Sequence, residues 1–210
     1  MPVPALLVAD RLSMRFGRRR LFDDLSVEVA PGAPLAVVGA NGSGKSTLLR
    51  VFAGLTAPTG GAVRLDVDGA VVRPEDVPRT VGFVAPALQL YEPLTARENL
   101  GFLASARRLA DAERRIEAVL DRVGLGPRAD DAVGAFSTGM RQRLRLATAL
   151  LHDPPVLLLD EPGATLDAAG RALTESVVGD PGRVVVVATN DPAEAALCPR
   201  RVALGGAARP

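Results

Sequence analysis

The chain of 210 residues has no tryptophan, one tyrosine, one cysteine and one histidine, and only 3% of it is aromatic. The lone Cys198 excludes an internal disulfide and suits a reducing compartment. Long apolar runs are missing too. Mean hydropathy is slightly positive, yet no uninterrupted run approaches the ~18 residues of a spanning helix. Runs such as Val184–Ala188 are expected to be buried strands of a parallel sheet. The segment Met1–Ala5 lacks the basic start and apolar stretch of a secretory signal. Net charge is +1, which argues against a general nucleic-acid binder. Lysine is the sharpest scarcity: of 25 Lys and Arg residues only Lys45 is lysine. It sits where phosphate chemistry calls for a compact ammonium rather than a planar guanidinium.

The 48% of hydrophobic residues suffices for one full core, not for two independent domains of usual size. Leu6–Ala9 and Ser26–Val29 read as short strands, with Leu35–Val38 a buried strand running into a glycine-rich loop. Ser46–Gly54 reads as a helix, Gly60–Val72 as alternating strand residues and Val81–Val84 as another strand. The middle is helical. Thr95 and Glu98 have capping-box spacing, Asp111 is expected to cap a helix to about Val123, and Ser137 precedes one to about Leu151. Val156–Leu159 and Val184–Ala188 are further strands, the last followed by Asn190-Asp191-Pro192 and a short helix. The expected fold is an α/β core, 1–86 and 151–210, carrying a helical subdomain at 87–150 within one domain, 1–210. Arg18-Arg19-Arg20 reads as a solvated turn, with a phosphate- or lipid-contacting patch as the alternative.

Gly39-Ala40-Asn41-Gly42-Ser43-Gly44-Lys45-Ser46, followed by Thr47, matches the P-loop pattern in its proper strand-to-helix setting. Glycines let backbone N–H groups turn inward as an anion nest. The following helix adds its positive N-terminal end. Lys45 is placed for the β- and γ-phosphates, and the Ser46 hydroxyl for Mg²⁺. Downstream, an apolar strand ends in Asp160-Glu161. Such a strand delivers its last residues to the sheet edge where ligands bind. Asp160 there suits the Mg²⁺ shell, and Glu161 suits a general base that polarises the attacking water.

Phe136-Ser137-Thr138-Gly139-Met140 with Arg141-Gln142-Arg143 resembles the signature of ABC transporter ATPases, a relaxed Leu-Ser-Gly-Gly-Gln. Asn41 in the P-loop, Pro162 after the acids and Leu166-Asp167 at the end of the D-loop agree. The resemblance covers nearly the whole chain. It implies a P-loop NTPase core with a parallel sheet, a small antiparallel β subdomain and a helical signature subdomain. It also implies ATP and Mg²⁺, a head-to-tail dimer or paired ATPase subunit, and a separate transmembrane permease. Location would be cytoplasmic, peripheral on the inner face of the cell membrane. Ser137 and the Gly139 N–H would face the ATP of the other subunit, and the permease would dock near Pro86–Tyr91. Phe16 stands where the family stacks an aromatic on adenine; a core or edge phenylalanine is the alternative.

Three positions depart from the family. Asn190 replaces the switch histidine; it can hydrogen-bond a γ-phosphate or a water but cannot become cationic. Pro86 falls at the Q-loop glutamine, with Gln89 nearby as a substitute. Ala164 stands where the D-loop often has serine. The only histidine, His152, lies at a helix end in a structural or dipole-related role. Slow hydrolysis dependent on Glu161 is the expectation, and an ATP-dependent clamp or regulatory module with weak turnover is the alternative. A soluble ATPase of DNA repair or translation would bring coiled-coil insertions or two ATPase units. A GTPase would bring an Asn-Lys-x-Asp motif. The compact length also resembles the haem-export ATPases of cytochrome c maturation.

Overall fold

The computed structural model describes residues 4–163 and 168–205. Among these, the apolar runs form a five-stranded parallel sheet in the order β6 (Val81–Val84), β7 (Val156–Asp160), β8 (Val184–Thr189), β3 (Leu35–Val38), β9 (Arg200–Ala203). Every residue of β7 and β8 is buried, as a parallel sheet covered on both faces requires. Side chains alternate between two cores. Leu157, Leu159, Val185 and Val187 join the helical side. Val156, Leu158, Val184 and Val186 join a second cluster with Leu48, Leu49 and Phe52 of α1 (Lys45–Phe52). Each fully buried aliphatic chain contributes roughly 1.5–3 kcal/mol.

A second, antiparallel sheet of order β2-β1-β4-β5 covers the α1 side: β1 Ala5–Phe16, β2 Arg19–Val29, β4 Gly60–Val67, β5 Ala70–Val71. The hairpin is much longer than the two short strands expected. The reason is a register shift between Ala9 and Leu12. Buried positions run Ala5, Leu7, Ala9 and then Leu12, Met14, so the period-2 pattern changes phase at a bulge.

Three helices of the middle segment, α3 (Ala96–Ala106), α4 (Ala112–Arg122) and α5 (Thr138–Leu150), share one apolar cluster. Thr95 and Glu98 form the expected reciprocal capping box. Asp111 does not cap as expected. It precedes α4 in the left-handed region, φ 51°, without a side-chain cap, and its carboxylate instead accepts from Arg114 at 3.0 Å. Among the labelled elements, three escaped the sequence reading: the short α2 (Val77–Thr80), α6 (Ala168–Val178) and β9. α2 leads into β6, and α7 (Pro192–Ala196) follows β8.

His152 follows α5 and is half-buried. Burial, reinforced by the nearby Arg107, pushes its pKa down to about 4. The imidazole is therefore neutral near pH 7, which removes the dipole-related role expected for it.

Candidate nucleotide-binding site

The sheet order places the ends of β7, β8 and β3 side by side. Their following loops carry Glu161, Asn190 and the Gly39–Ser46 turn. Gly44 stands just before α1 with φ 106°, a value that disfavours a side chain. No side chain caps α1 and no acid lies in its first turn, so its N-terminal N–H groups are left for an anion. The Ser43 hydroxyl has no hydrogen-bond partner although it is shielded from solvent. An orphan donor beside a helix N-terminus fits a phosphate cradle.

Lys45 is 6% exposed. Its ammonium donates to the Gly39 carbonyl at 2.8 Å and to Asn190 Oδ1 at 2.7 Å. Glu161 Oε1 lies 3.7 Å away. The Asn190 amide donates in turn to Asn41 Oδ1, and its backbone N–H to Glu161 Oε2 at 3.3 Å. The Thr189 hydroxyl reaches the same oxygen at 3.4 Å. Glu161 itself adopts φ 49°. Left-handed backbone costs a non-glycine residue about 1–3 kcal/mol.

Asp160 is 3% exposed. Burial raises its carboxyl above the ordinary range, opposed by a hydrogen bond with the Ser46 hydroxyl; the Glu161 charge raises it further and Lys45 lowers it. Ser46 and Asp160 thus present paired hard oxygens at one point of the cleft. Mg²⁺ takes one or two carboxylates together with substrate phosphates, so this donor set fits it.

Around these groups lies a cleft of about 440 Å³, lined by Phe16, Arg19, Leu21, Asn41, Gly42, Gly44, Lys45, Ser46, Thr47, Pro86, Asp160 and Glu161. Phe16 is 57% exposed, which removes the core alternative. Arg19 pairs with Phe16 across the hairpin and donates to the Gly42 carbonyl at 2.6 Å. It is therefore part of the cleft wall rather than a freely solvated turn. The sequence carried no signal for this beyond the three arginines. Pro86 lines the cleft, but Gln89 does not replace a Q-loop glutamine. It is exposed and lines a separate cavity of about 320 Å³ with Glu92, Arg141 and Arg145.

Ser137 and Gly139 stand apart from this cleft, at the N-terminus of α5. Ser137 caps the helix by accepting from the Met140 N–H at 3.2 Å and is itself exposed. Gln142, one turn into α5, donates to the Pro162 carbonyl at 3.1 Å, which ties the signature helix to the segment after Glu161. Ala164 and Leu166-Asp167 lie outside the described residues.

Fold and site together define a P-loop nucleoside triphosphatase. The ABC transporter family matches residues 22–164, and the chain belongs to that family. It is 36% identical over 206 residues to an aliphatic sulfonates import ATP-binding protein, SsuB 2, of Paracoccus denitrificans, covering 96% of this chain and 78% of the relative. It is also 36% identical over 193 residues to the cytochrome c biogenesis ATP-binding export protein CcmA of Pseudomonas savastanoi, covering 90% of each. A solved ATP-binding subunit of an ABC transporter superposes with a TM-score of 0.81 at 31% identity, over 95% of this chain and 85% of that one. The dimeric post-hydrolysis cassette MJ0796 bound to ADP and Pi superposes with 0.79 at 26% identity, over 94% of each. The chain is an ATP-binding, ATP-hydrolysing subunit of this family.

Proposed function

We propose that the chain works as one of a pair of ATPase subunits that close on two ATPs and drive a separate membrane permease. The observation that carries this is the division of the site. Phosphate loop, lysine, acids and aromatic share one cleft, while Ser137 is exposed and Gly139 half-buried at the N-terminus of α5, outside it. A second copy placed head to tail brings that N-terminus to the γ-phosphate. MJ0796 is a dimer in its solved structures, which supports the arrangement.

Within each cleft Gly39 to Thr47 hold the phosphates, Lys45 the β- and γ-oxygens, and Phe16 the adenine face. Ser46 and Asp160 hold Mg²⁺, which supplies charge neutralisation when bound. Glu161 accepts the proton of the attacking water, and Asn190 orients the γ-phosphate or that water. The single domain, 1–210, divides into the core and the 87–150 helical segment.

No helix among the described residues is long and apolar enough to cross a membrane; in this reading the permease is a separate chain and the subunit sits against it, at the inner membrane face. An apolar cavity of about 210 Å³ supports docking. It is lined by Leu55, Pro78, Val81, Phe83, Leu88 and Leu103 among others. Leu55 is 51% exposed. The exposed Tyr91 and Phe102 stack edge to face nearby in sequence, with centroids at 5.5 Å. A helix of the permease is the occupant this surface suits.

The importer and the exporter match at equal identity, so the likeness follows the shared ATPase chemistry and not the cargo. Asn190 and Pro86, which depart from the family's pattern, motivate a second reading, an ATP-dependent clamp with weak turnover. Light scattering with ATP separates the two. Dimers that persist only in Glu161→Gln support the motor. Dimers that persist in the unsubstituted chain support the clamp, and no dimer in either contradicts both.

A further inference from the structure

A second buried acid stands behind Glu161. Glu194, in α7, is 9% exposed, and its Oε2 has no hydrogen-bond partner. Its other oxygen lies against the backbone of Gly163, two residues beyond Glu161. A Cβ built on Gly163 would fall 1.8 Å from Glu194 Oε1. Only glycine leaves room for the carboxyl at that point. Burial raises the Glu194 carboxyl above its ordinary range; hydrogen bonds from the Thr189 hydroxyl and the Gly163 N–H oppose that, while Glu161 and Asp191 add negative charge.

The same groups lead to Glu161. The Thr189 hydroxyl also reaches Glu161 Oε2 at 3.4 Å. Gln142 of α5 holds the Pro162 carbonyl at 3.1 Å. The segment Glu161–Gly163 is thus gripped between α5 and α7. Glu161 adopts φ 49°, left-handed backbone that costs a non-glycine residue free energy, and the contacts of Pro162 and Gly163 help to fix it. An acid is costly to bury without full hydrogen bonding. An apolar residue would fill the space without that cost, but it would place no acceptor oxygen against the Gly163 backbone.

We propose that Glu194 is a positioning residue for hydrolysis, seated on Gly163 so that the strained Glu161 is held facing the γ-phosphate side of the cleft. This rests on the reading of Glu161 as general base. Glu194 does not line the nucleotide cleft, so it acts on turnover and not on ATP affinity.

The test is a cycle of Glu194→Ala, Gly163→Ala and the double variant, with Glu194→Gln and Glu161→Gln alongside. Steady-state hydrolysis gives kcat and KM, fluorescent-ATP titration gives Kd, and thermal unfolding checks folding. Glu194→Ala is expected to lose about tenfold in kcat with Kd within about twofold, the pattern of a defect confined to the transition state. Glu194→Gln retains an oxygen for the Gly163 N–H and recovers most of the loss. Gly163→Ala loses at least as much, because its methyl collides with the carboxyl. The double variant relieves that collision, so the two losses do not multiply. If Glu194→Ala does not fold, Glu194→Asp carries the test, its shorter reach lowering kcat at unchanged Kd. A kcat within about twofold of the unsubstituted chain for whichever variant folds, or losses that simply multiply, overturns the proposal. If Glu161→Gln is as fast as the unsubstituted chain, the general-base reading fails instead.

Discussion

The Lys45 ammonium donates to the Asn190 amide oxygen at 2.7 Å, joining residues 145 apart in sequence. An imidazole in that place would offer one acceptor nitrogen and, once protonated, none. The amide accepts from Lys45 and donates to Asn41 at the same time. Asn190 therefore ties the phosphate loop to the end of β8 without needing a charge. Asn190→Ala is expected to lower kcat by about tenfold or more, the scale of removing one preorganised polar group from a transition state. ATP affinity should stay within about threefold, because the Lys45 bond to Gly39 remains. Steady-state hydrolysis and fluorescent-nucleotide titration read the two effects separately.

Arg19 holds the Gly42 carbonyl and walls the cleft beside Phe16. Both side chains are exposed, so removing either leaves the core intact. Arg19→Ala is expected to weaken binding of ATP and ADP about three- to tenfold, as the loss of one charge-assisted hydrogen bond does. The thermal midpoint should not move. Calorimetric titration checks the first and a melting curve the second.

Asp160 and Ser46 both line the cleft. Chelation of Mg²⁺ should abolish turnover in the unsubstituted chain. Asp160→Asn should lower turnover by about a hundredfold or more while nucleotide binding survives, because the ion neutralises charge on the transferring phosphoryl group. A magnesium titration of the hydrolysis rate, run on both proteins, shows whether the variant has lost its response to the ion.

His152 makes stability depend on pH. Its pKa is about 4 in the folded chain against an ordinary 6.5. Between those values the unfolded chain binds more protons, so stability is full above about pH 6.5 and falls as pH drops toward 4. Allowing for partial exposure, the loss is about 2 kcal/mol. Urea unfolding at stepped pH should show this slope, and His152→Gln should flatten it.

What the sequence disclosed is what is local. The P-loop sits between β3 and α1 as its spacing requires, and the acids end a strand whose unbroken apolarity announces burial. Thr95 and Glu98 cap their helix because both partners lie within one turn. Asp111 has the right chemistry for a cap, but its backbone turns left-handed, and side-chain type alone carries no signal for that. The hairpin was half seen because its bulge changes the phase of the alternation. α6 carries Gly170 near its start, and β9 opens on two exposed arginines, so neither shows a clear period. Arg19, Thr189 and Glu194 take their places only through tertiary contact: a strand pairing for the first, the end of β8 for the second and the packing of α7 for the third. Gln89 shows the converse, close to Pro86 in sequence and outside the cleft in space.

The central claim is a composite site shared by two copies and fired by Glu161. The hydrolysis rate per molecule, measured against the concentration of the purified chain with Glu161→Gln in parallel, tests it most directly. A rate per molecule that climbs with concentration and then levels, and that falls at least about a hundredfold in Glu161→Gln, is the expected result. A rate per molecule independent of concentration, or undiminished in Glu161→Gln, would contradict it.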